Sequence, residues 1–271
     1  MRHGIVVDGQ ERDIAIRAMD ESFIVYRKMY VPPLTPDNIG EVNPGDWAEH
    51  LEKFRDLGWQ KLIEEFLRKH IRIAGSCAIL AWDGDGVIGK MYFTTKEMWD
   101  AFRAADCWFC VEHESMPKFI QSLSDERRQA LLASPSRTLQ ILCFNVGHKG
   151  ERYHGQGIAK AMVEYPKQWA RERGWHRLVM ESCPDITPTI VLGGHKLRRG
   201  TLERLGFSVA EERPAPPEEA EHRLQVIKDL AAGKTDYPVW ADWYVENFPR
   251  LSADPAWKLE YDKNYLMECN L

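Results

Sequence analysis

The pattern of apolar and polar positions predicts a set of short buried strands. Two continuous apolar runs, residues 77–82 and 87–93, are separated by Asp83-Gly84-Asp85-Gly86. Asp-Gly pairs tolerate the positive φ that a tight turn needs, so the two runs predict a β-hairpin. Similar runs predict strands at 13–19, 139–146, 177–181 and 206–210, and a last strand within 257–270.

Apolar residues at helical spacing predict helices between these strands. Asp46 is the N-cap of a helix predicted from Trp47 to about Asp56, and a second helix is predicted from after Gly58 to about Arg72. The remaining helical patterns are at about 95–137, at about 157–173 with Gly174 as the stop, in a short helix ending at 201–205, and at 217–232. This succession of elements predicts a mixed α/β fold.

The composition is that of an ordinary soluble globular protein, because 44% of the 271 residues are hydrophobic and 28% are charged. It excludes a disordered chain, a collagen-like repeat and a disulfide-dense miniprotein. The 36 Lys and Arg against 41 Asp and Glu give a formal charge of -5. We therefore expect no bulk cationic field that would hold nucleic acid.

The chain also shows no signal for a membrane or for export. No stretch approaches the ~20 apolar residues of a membrane span, and charge returns at Asp8 before a secretory core could form. Six cysteines without an export signal suggest reduced thiols, so we expect a cytoplasmic protein.

Two glycine motifs are candidates for binding phosphate. Residues 84–89 match the dinucleotide fingerprint G-x-G-x-x-G, but residues 91–93 continue a predicted strand, where the fingerprint requires a helix to hold the phosphate. Residues 152–159 instead follow a predicted strand and precede a predicted helix. Glycines there let backbone N–H groups approach an anion, and the helix N-terminus adds favourable partial charge. A pyrophosphate fits this second motif, and a glycine-rich turn that merely starts a helix is the alternative.

The whole layout resembles a known enzyme superfamily. The segment 152–157, Arg-x-x-Gly-x-Gly, resembles the (Arg/Gln)-x-x-Gly-x-(Gly/Ala) acyl-CoA motif of the GNAT superfamily of N-acetyltransferases. Leu205-Gly206-Phe207 is similar to the superfamily's second landmark, a short helix that ends in a Leu-Gly-Phe turn into a strand. The hairpin at 77–93 lies where the family has its second and third strands, and the early strand followed by two helices also matches the family's order of elements. The resemblance covers roughly residues 12–210 and a final strand.

The resemblance implies a single domain over 1–271 with a mixed, mostly antiparallel sheet flanked by helices. The sheet would be splayed between its fourth and fifth strands, where the thioester arm of acyl-CoA enters. Backbone near Asn145 and Val146 would bind the pantetheine arm and polarise the thioester carbonyl. Backbone N–H groups would hold the CoA pyrophosphate along the loop Arg152, Tyr153, His154, Gly155, Gln156, Gly157, Ile158 and Ala159. Acetyl-CoA or another acyl-CoA is the implied co-substrate, and no metal is expected.

Several features depart from the family pattern. The segment between Val146 and Gly155 is longer than the usual tight turn, and Pro166 should kink the helix that follows. About 40 residues are inserted at about 95–137, and a similar length is inserted at about 211–256.

The position at which many relatives carry a tyrosine is Leu202, and the asparagine common seven residues earlier is His195. Leucine has no exchangeable proton, so another group or solvent must protonate the departing CoA thiolate. The local substitutes are Tyr153, Cys183 and His195. His195 suits the role best on chemistry, because imidazole titrates near neutrality.

An amine nucleophile arrives mostly protonated, so a base within water reach helps the reaction. Candidates near the open end of the sheet are Glu181, His148, His154, Glu151 and Asp185. Glu181 is the first choice because it closes a strand beside the cleft, and a solvent-facing carboxylate is the alternative. His148 flanks the phosphate loop, where it is either a base, a contact of CoA or a surface histidine.

The sequence supports a zinc site less well than it supports the acyl-CoA loop. Cys107, Cys110 and His113 form C-x-x-C-x-x-H, which could hold zinc with Cys143 or His148 as a fourth ligand. A structural site usually shows a second, similarly spaced pair, and the sequence has none. Thiols that pack into a core are favoured, because free cysteine is among the most buried residue types.

Aromatic residues at helical spacing mark the segment 237–248. Its members are Trp240, Trp243, Tyr244 and Phe248. The segment either packs on the sheet as a helix or forms an aromatic wall over the acceptor site. In the second case Asp242 and Glu246 would meet an ammonium group, with cation–π help.

Together these features predict an acyl-CoA-dependent N-acyltransferase that acts on the primary amine of a small molecule, as a monomer or homodimer. Three alternatives stay open: a protein or peptide amine acetyltransferase, a catalytically degenerate acyl-CoA-binding sensor, and a zinc-stapled interaction module.

Overall fold

A computed structural model describes residues 1–24, 58–107, 115–146, 153, 155–185, 196–234, 242–253, 255 and 260–271. The helix predicted at 47–56 lies outside these residues. The strands are β1 (Arg2–Val7), β2 (Gln10–Ala18), β3 (Ala78–Asp83), β4 (Gly86–Thr95), β5 (Thr138–Val146), β6 (Arg177–Cys183), β7 (Leu197–Arg198), β8 (Ser208–Pro214) and β9 (Lys263–Asn270).

These strands form one sheet in the order β1-β2-β3-β4-β5-β6-β9-β8, with β7 paired to β6. The β5–β6 and β6–β7 pairs are parallel and the others are antiparallel. The mixed, mostly antiparallel sheet is therefore confirmed. The predicted hairpin is also confirmed as β3 and β4, with Gly84 in its turn at a φ of 57°.

The described helices are α1 (Trp59–Ala74), α2 (Lys96–Ala104), α3 (Ser115–Ser122), α4 (Asp125–Ala133), α5 (Ile158–Arg171), α6 (Arg199–Arg204), α7 (Pro217–Ala231) and α8 (Asp242–Ala253). Within the described residues the predicted insertion at 95–137 is helical, and the predicted helices at 157–173 and 217–232 are confirmed with bounds shifted by a few residues. α5 continues through Pro166. None of the described helices is long and apolar enough to span a membrane.

The central strands are apolar throughout because the sheet is covered on both faces. Ile79 and Ala81 of β3 belong to a core that includes Met162 of α5. The alternate residues of β3, Leu80 among them, belong to a second core that includes Phe66 of α1. A strand that is buried on both faces needs apolar side chains at successive positions, which produces the continuous runs seen in the sequence.

A buried histidine lies in α1, which contacts α3 and α4. His70 is fully buried, and neither ring nitrogen has a hydrogen-bond partner among the described residues. Burial lowers the pKa of His70 to about 3 from its usual 6.5, because the imidazolium would lose its hydration there. The ring is therefore neutral in the folded protein at neutral pH.

We expect His70 to weaken the fold in acid. Unfolding returns its pKa to about 6.5, so stability falls as the pH drops from about 6.5 towards 3, at about 1.4 kcal/mol per pH unit. At pH 4.5 the loss is about 3 kcal/mol. Urea unfolding from pH 7 to pH 4.5 should show a steeper loss for the wild type than for His70→Leu. Equal slopes in the two proteins would contradict this assignment.

Candidate active site

A β-bulge lies where β5 parts from β6. Pairing between β5 and β6 ends at Ile141 and Met180, whereas pairing between β5 and β4 continues to Val146. The register with β4 skips Leu142, which is the extra residue of the bulge. A bulge bends its strand and ends regular pairing locally. Among the described residues no strand pairs with the β6-facing edge of residues 142–146, and we call this opening the β5–β6 gap.

The short strand β7 borders the gap on the β6 side. Ser182 pairs with Tyr265 of β9 along one edge of β6 and with Leu197 of β7 along the other. β7 therefore lies on the edge that faces β5, just beyond the last β5–β6 pair. The hydroxyl of Ser182 donates a hydrogen bond to the carbonyl oxygen of Leu197 at 2.8 Å, which fixes this arrangement.

The glycine loop, residues 152–157 of the sequence, follows β5, which lines the gap, and precedes α5. Gly155 and Gly157 have φ values of 72° and 76°, a region that costs other residues free energy. Gly157 is the N-cap of α5, and residues 158–161 contain no acidic side chain to cancel the positive end of the helix dipole. A Cβ at Gly155 would meet no atom of the described residues within 4 Å. These features suit an anion.

The loop is anchored to the β3–β4 hairpin at its start. The phenol of Tyr153 donates a hydrogen bond to Asp83 Oδ2 at 2.6 Å, and Arg12 Nη1 lies 2.8 Å from the same oxygen. Tyr153 is only 2% exposed. The side chain of this predicted cofactor contact therefore holds the loop in place.

The loop is anchored to β1 at its other end, by a residue that the sequence analysis did not predict. His3 Nε2 lies 2.8 Å from the carbonyl oxygen of Gln156. The sequence signal for β1, which carries His3, is weak, since only Ile5 and Val7 of this strand are buried and they alternate with exposed residues. A single alternation of this kind predicts an edge strand, and says nothing of what lies against it.

Glu181 faces away from α5. Its neighbour Met180 belongs to the core that includes α5, and successive strand residues point to opposite faces. The Glu181 side chain is 30% exposed, and its Oε2 atom lies 3.9 Å from Lys196 Nζ. The structure thus places the candidate base at the end of β6 where the gap begins, on the face opposite α5.

A partly buried ionic network holds Lys196 beside Glu181. Lys196 Nζ lies 3.1 Å from Glu219 Oε1 of α7, and the same oxygen lies 2.5 Å from Arg223 Nη2. Burial alone would raise the pKa of Glu219, but the charges of Lys196 and Arg223 and the amide of Asn264 outweigh it and lower the pKa. Glu219 therefore stays ionised at neutral pH.

Two other candidates have contacts of their own. The Asp185 carboxylate accepts hydrogen bonds from the backbone N–H of Gly200 at 3.1 and 3.2 Å, at the start of α6. A Cβ at Gly200 would come within 2.6 Å of this carboxylate, which explains the glycine. Leu202 is fully buried in the core, as is the thiol of Cys183. These positions give Asp185 and Leu202 structural contacts.

No family model matches the sequence, and no curated protein matches it. Solved structures that match include a GNAT-family acetyltransferase from Streptococcus pneumoniae, at 10% identity and a TM-score of 0.39 over 95% of this chain and 99% of that one. Another is a GNAT-family acetyltransferase from Elizabethkingia anophelis with acetyl-CoA bound, at 14% identity and a TM-score of 0.36 over 95% of this chain and 98% of that one. A third is the ribosomal-protein-S18-alanine N-acetyltransferase from Escherichia coli, at 9% identity and a TM-score of 0.35 over 95% of this chain and 93% of that one. The descriptions of the first two name the family that the sequence resembles.

The remaining predicted site residues are described in part or not at all. The ones outside the described residues are His148, Glu151, Arg152, His154, His195, Trp240, Cys110 and His113. Asn145 lies in β5, and Trp243 and Tyr244 lie in α8. The Cys107 thiol lies 3.4 Å from the Ser115 hydroxyl. Within the part of the chain that the structure describes, no group of three or more His, Cys, Asp or Glu is placed to hold a metal ion.

Proposed function

We propose that this protein belongs to the GNAT superfamily and transfers an acyl group from acyl-CoA to the primary amine of a small molecule. One observation carries the proposal: β5 lines the gap in the sheet and then leads into the glycine loop at the N-terminus of α5. A ligand that joins a pyrophosphate to a thin extended arm fits this combination. The pyrophosphate would bind the loop, and the pantetheine arm would lie along the β6-facing edge of β5 at Asn145 and Val146.

The proposed reaction is a direct transfer. The amine nitrogen attacks the thioester carbonyl carbon, a C–N bond forms, and the C–S bond breaks. The nitrogen gives up its proton to a base, and the CoA thiolate takes a proton from solvent or from an acid. Backbone N–H groups along the β6-facing edge of β5 would stabilise the oxyanion. A thiol with a pKa near ~8.5 is already a fair leaving group, so the buried Leu202 at the family's tyrosine position does not prevent the reaction. His195 stays the candidate acid.

Glu181 is proposed as the base. α5 packs on one face of the sheet, and α1 covers the other face at β3, so the amine would approach the end of β6 on the face opposite α5, towards which Glu181 points. α8 carries Trp243 and Tyr244 and contacts α7, the helix that holds Glu219 near Lys196. This placement supports the proposal that α8, with Trp240 before it, forms an aromatic wall of the acceptor site.

The proposal is tested by measuring CoA release from acetyl-CoA with a thiol reagent across a panel of small amines and lysine peptides. Turnover with small amines supports the proposal, and turnover with peptides alone favours a protein acetyltransferase. Tight CoA binding without turnover would identify a sensor. Absence of CoA binding would overturn the assignment altogether.

We expect Glu181→Gln to lower kcat about ten- to a hundredfold, because it removes the base but keeps the shape of the side chain. The KM for acetyl-CoA should stay within about twofold. Glu268→Gln is the matched control, since Glu268 sits on the same face of the sheet paired with Arg177 at 3.0 Å. Full kcat in Glu181→Gln would remove it from the mechanism, and an equal loss in both variants would point to a general effect of charge.

A further inference from the structure

We infer that His3 is a positioning residue of the acyl-CoA site, which holds the glycine loop in its binding conformation from the N-terminal strand. The inference rests on the proposed function, because the ligand of the loop is the pyrophosphate of acyl-CoA. His3 lies in β1 and reaches across 153 positions of sequence to Gln156.

The direction of the hydrogen bond follows from its chemistry. A carbonyl oxygen only accepts, so the Nε2 atom of His3 carries the hydrogen and donates it to Gln156. In a planar trans peptide the carbonyl oxygen of one residue and the N–H of the next point in opposite directions. Holding the Gln156 carbonyl towards β1 therefore turns the N–H of Gly157 away from β1. That N–H belongs to the N-cap of α5, where an anion would bind.

Two further contacts restrict the same part of the loop. The backbone N–H of Val6, on the edge strand β1, lies 3.5 Å from the side-chain oxygen of Gln156. A Cβ built on Gly157 would lie 3.5 Å from His3 Nε2, so the imidazole ring lies directly against the N-cap glycine. These contacts from β1 therefore act on Gln156 and Gly157.

The loop is therefore held at two of its described residues. Tyr153 is hydrogen-bonded to Asp83 and Gln156 to His3, while a Cβ at Gly155 would meet no described atom within 4 Å. A loop that is already ordered loses less conformational entropy when it binds its ligand. His3 contributes to acyl-CoA affinity in this way without touching the ligand.

The test compares His3→Leu, His3→Gln and Arg2→Gln by calorimetric titration with CoA and by steady-state kinetics. We expect His3→Leu to raise the Kd for CoA and the KM for acetyl-CoA about five- to tenfold, the effect of one lost hydrogen bond. The kcat at saturating acetyl-CoA and the KM for the amine should not change. His3→Gln keeps a side-chain N–H of similar reach and should restore most of the affinity. Arg2→Gln changes the neighbouring, exposed residue of β1 and should bind as the wild type does.

A merely structural role for His3 would lower the melting temperature of His3→Leu and leave both constants for CoA unchanged, and this result would overturn the inference. Loss of affinity in His3→Gln equal to that in His3→Leu would also overturn it, because the donor would then not matter. If the wild type binds CoA and His3→Leu binds it equally well, only this inference fails. If the wild type binds no CoA, the proposed function fails and the inference fails with it.

Discussion

Gly157→Glu is expected to weaken CoA binding about a thousandfold in a protein that still folds. The new side chain would start at the N-cap of α5, with its Cβ 3.5 Å from His3 Nε2, so it would disturb the ring that holds the loop and add a negative charge beside the proposed pyrophosphate site. Two like charges about 4 Å apart repel by about 4 kcal/mol at the effective dielectric constant of a protein surface, which is about a thousandfold in Kd. The positive φ of 76° adds backbone strain that any side chain would suffer.

Gly233→Glu is the matched control for this strain. Gly233 follows α7 at a φ of 79°, and a Cβ there would meet no atom within 4 Å in the part of the chain that the structure describes. The Gly233→Glu variant should show the same small loss of stability and keep the wild-type affinity for CoA. Calorimetry that finds CoA bound equally tightly by folded Gly157→Glu would exclude the glycine loop as the pyrophosphate site.

Arg223→Leu is expected to lower the free energy of unfolding by about 4 kcal/mol, because breaking one partner of a buried ion pair typically costs 3–5 kcal/mol. The Arg223 side chain is fully buried in the network beside the candidate site. Its guanidinium donates hydrogen bonds to the carbonyl oxygens of Tyr261 and Lys263 at 3.0 and 2.7 Å and to Asn264 Oδ1 at 2.6 Å. Removing it leaves these three acceptors without their donor and leaves the Glu219 carboxylate with Lys196 and the Asn264 amide as its remaining partners.

Urea unfolding at pH 7 measures this effect, with Lys228→Leu as the control because Lys228 is an exposed basic residue of the same helix. The control should change stability by less than about 0.5 kcal/mol. The double variant Arg223→Leu with Glu219→Leu should lose less stability than the sum of the two single variants, since both single losses include the same ion pair. A stable Arg223→Leu single variant would show that the network contributes little to the fold.

Local pattern was sufficient for elements whose signal lies within a few residues. The hairpin β3–β4 was predicted because both strands are buried on both faces and because Asp-Gly pairs form its turn. α1 was predicted because Ile63, Phe66 and Leu67 form one apolar stripe. β1 was missed because an edge strand buries one face only, and its two buried residues are too few to stand out.

The candidate site divides in the same way. The glycine loop was predicted from its own residues, and the structure places Gly155, Gln156 and Gly157 at the start of α5. The contacts that hold it were not predictable, since His3 and Asp83 lie far from the loop in sequence. The cysteine, histidine and aromatic candidates outside the described residues stay predictions.

The sequence by itself determined the class of fold, the order of most of its elements and the loop whose glycines suit an anion, because backbone preference and burial pattern are local properties. The family resemblance predicted an opening between the strands that are β5 and β6, but only the tertiary structure decided at which residue their pairing ends, since the bulge at Leu142 exists only in the register between β5 and β4. It also decided the surroundings of Glu181, because Lys196 and Glu219 come from separate elements. Register and long-range ion pairs depend on which surfaces pack together, and no local pattern encodes that choice.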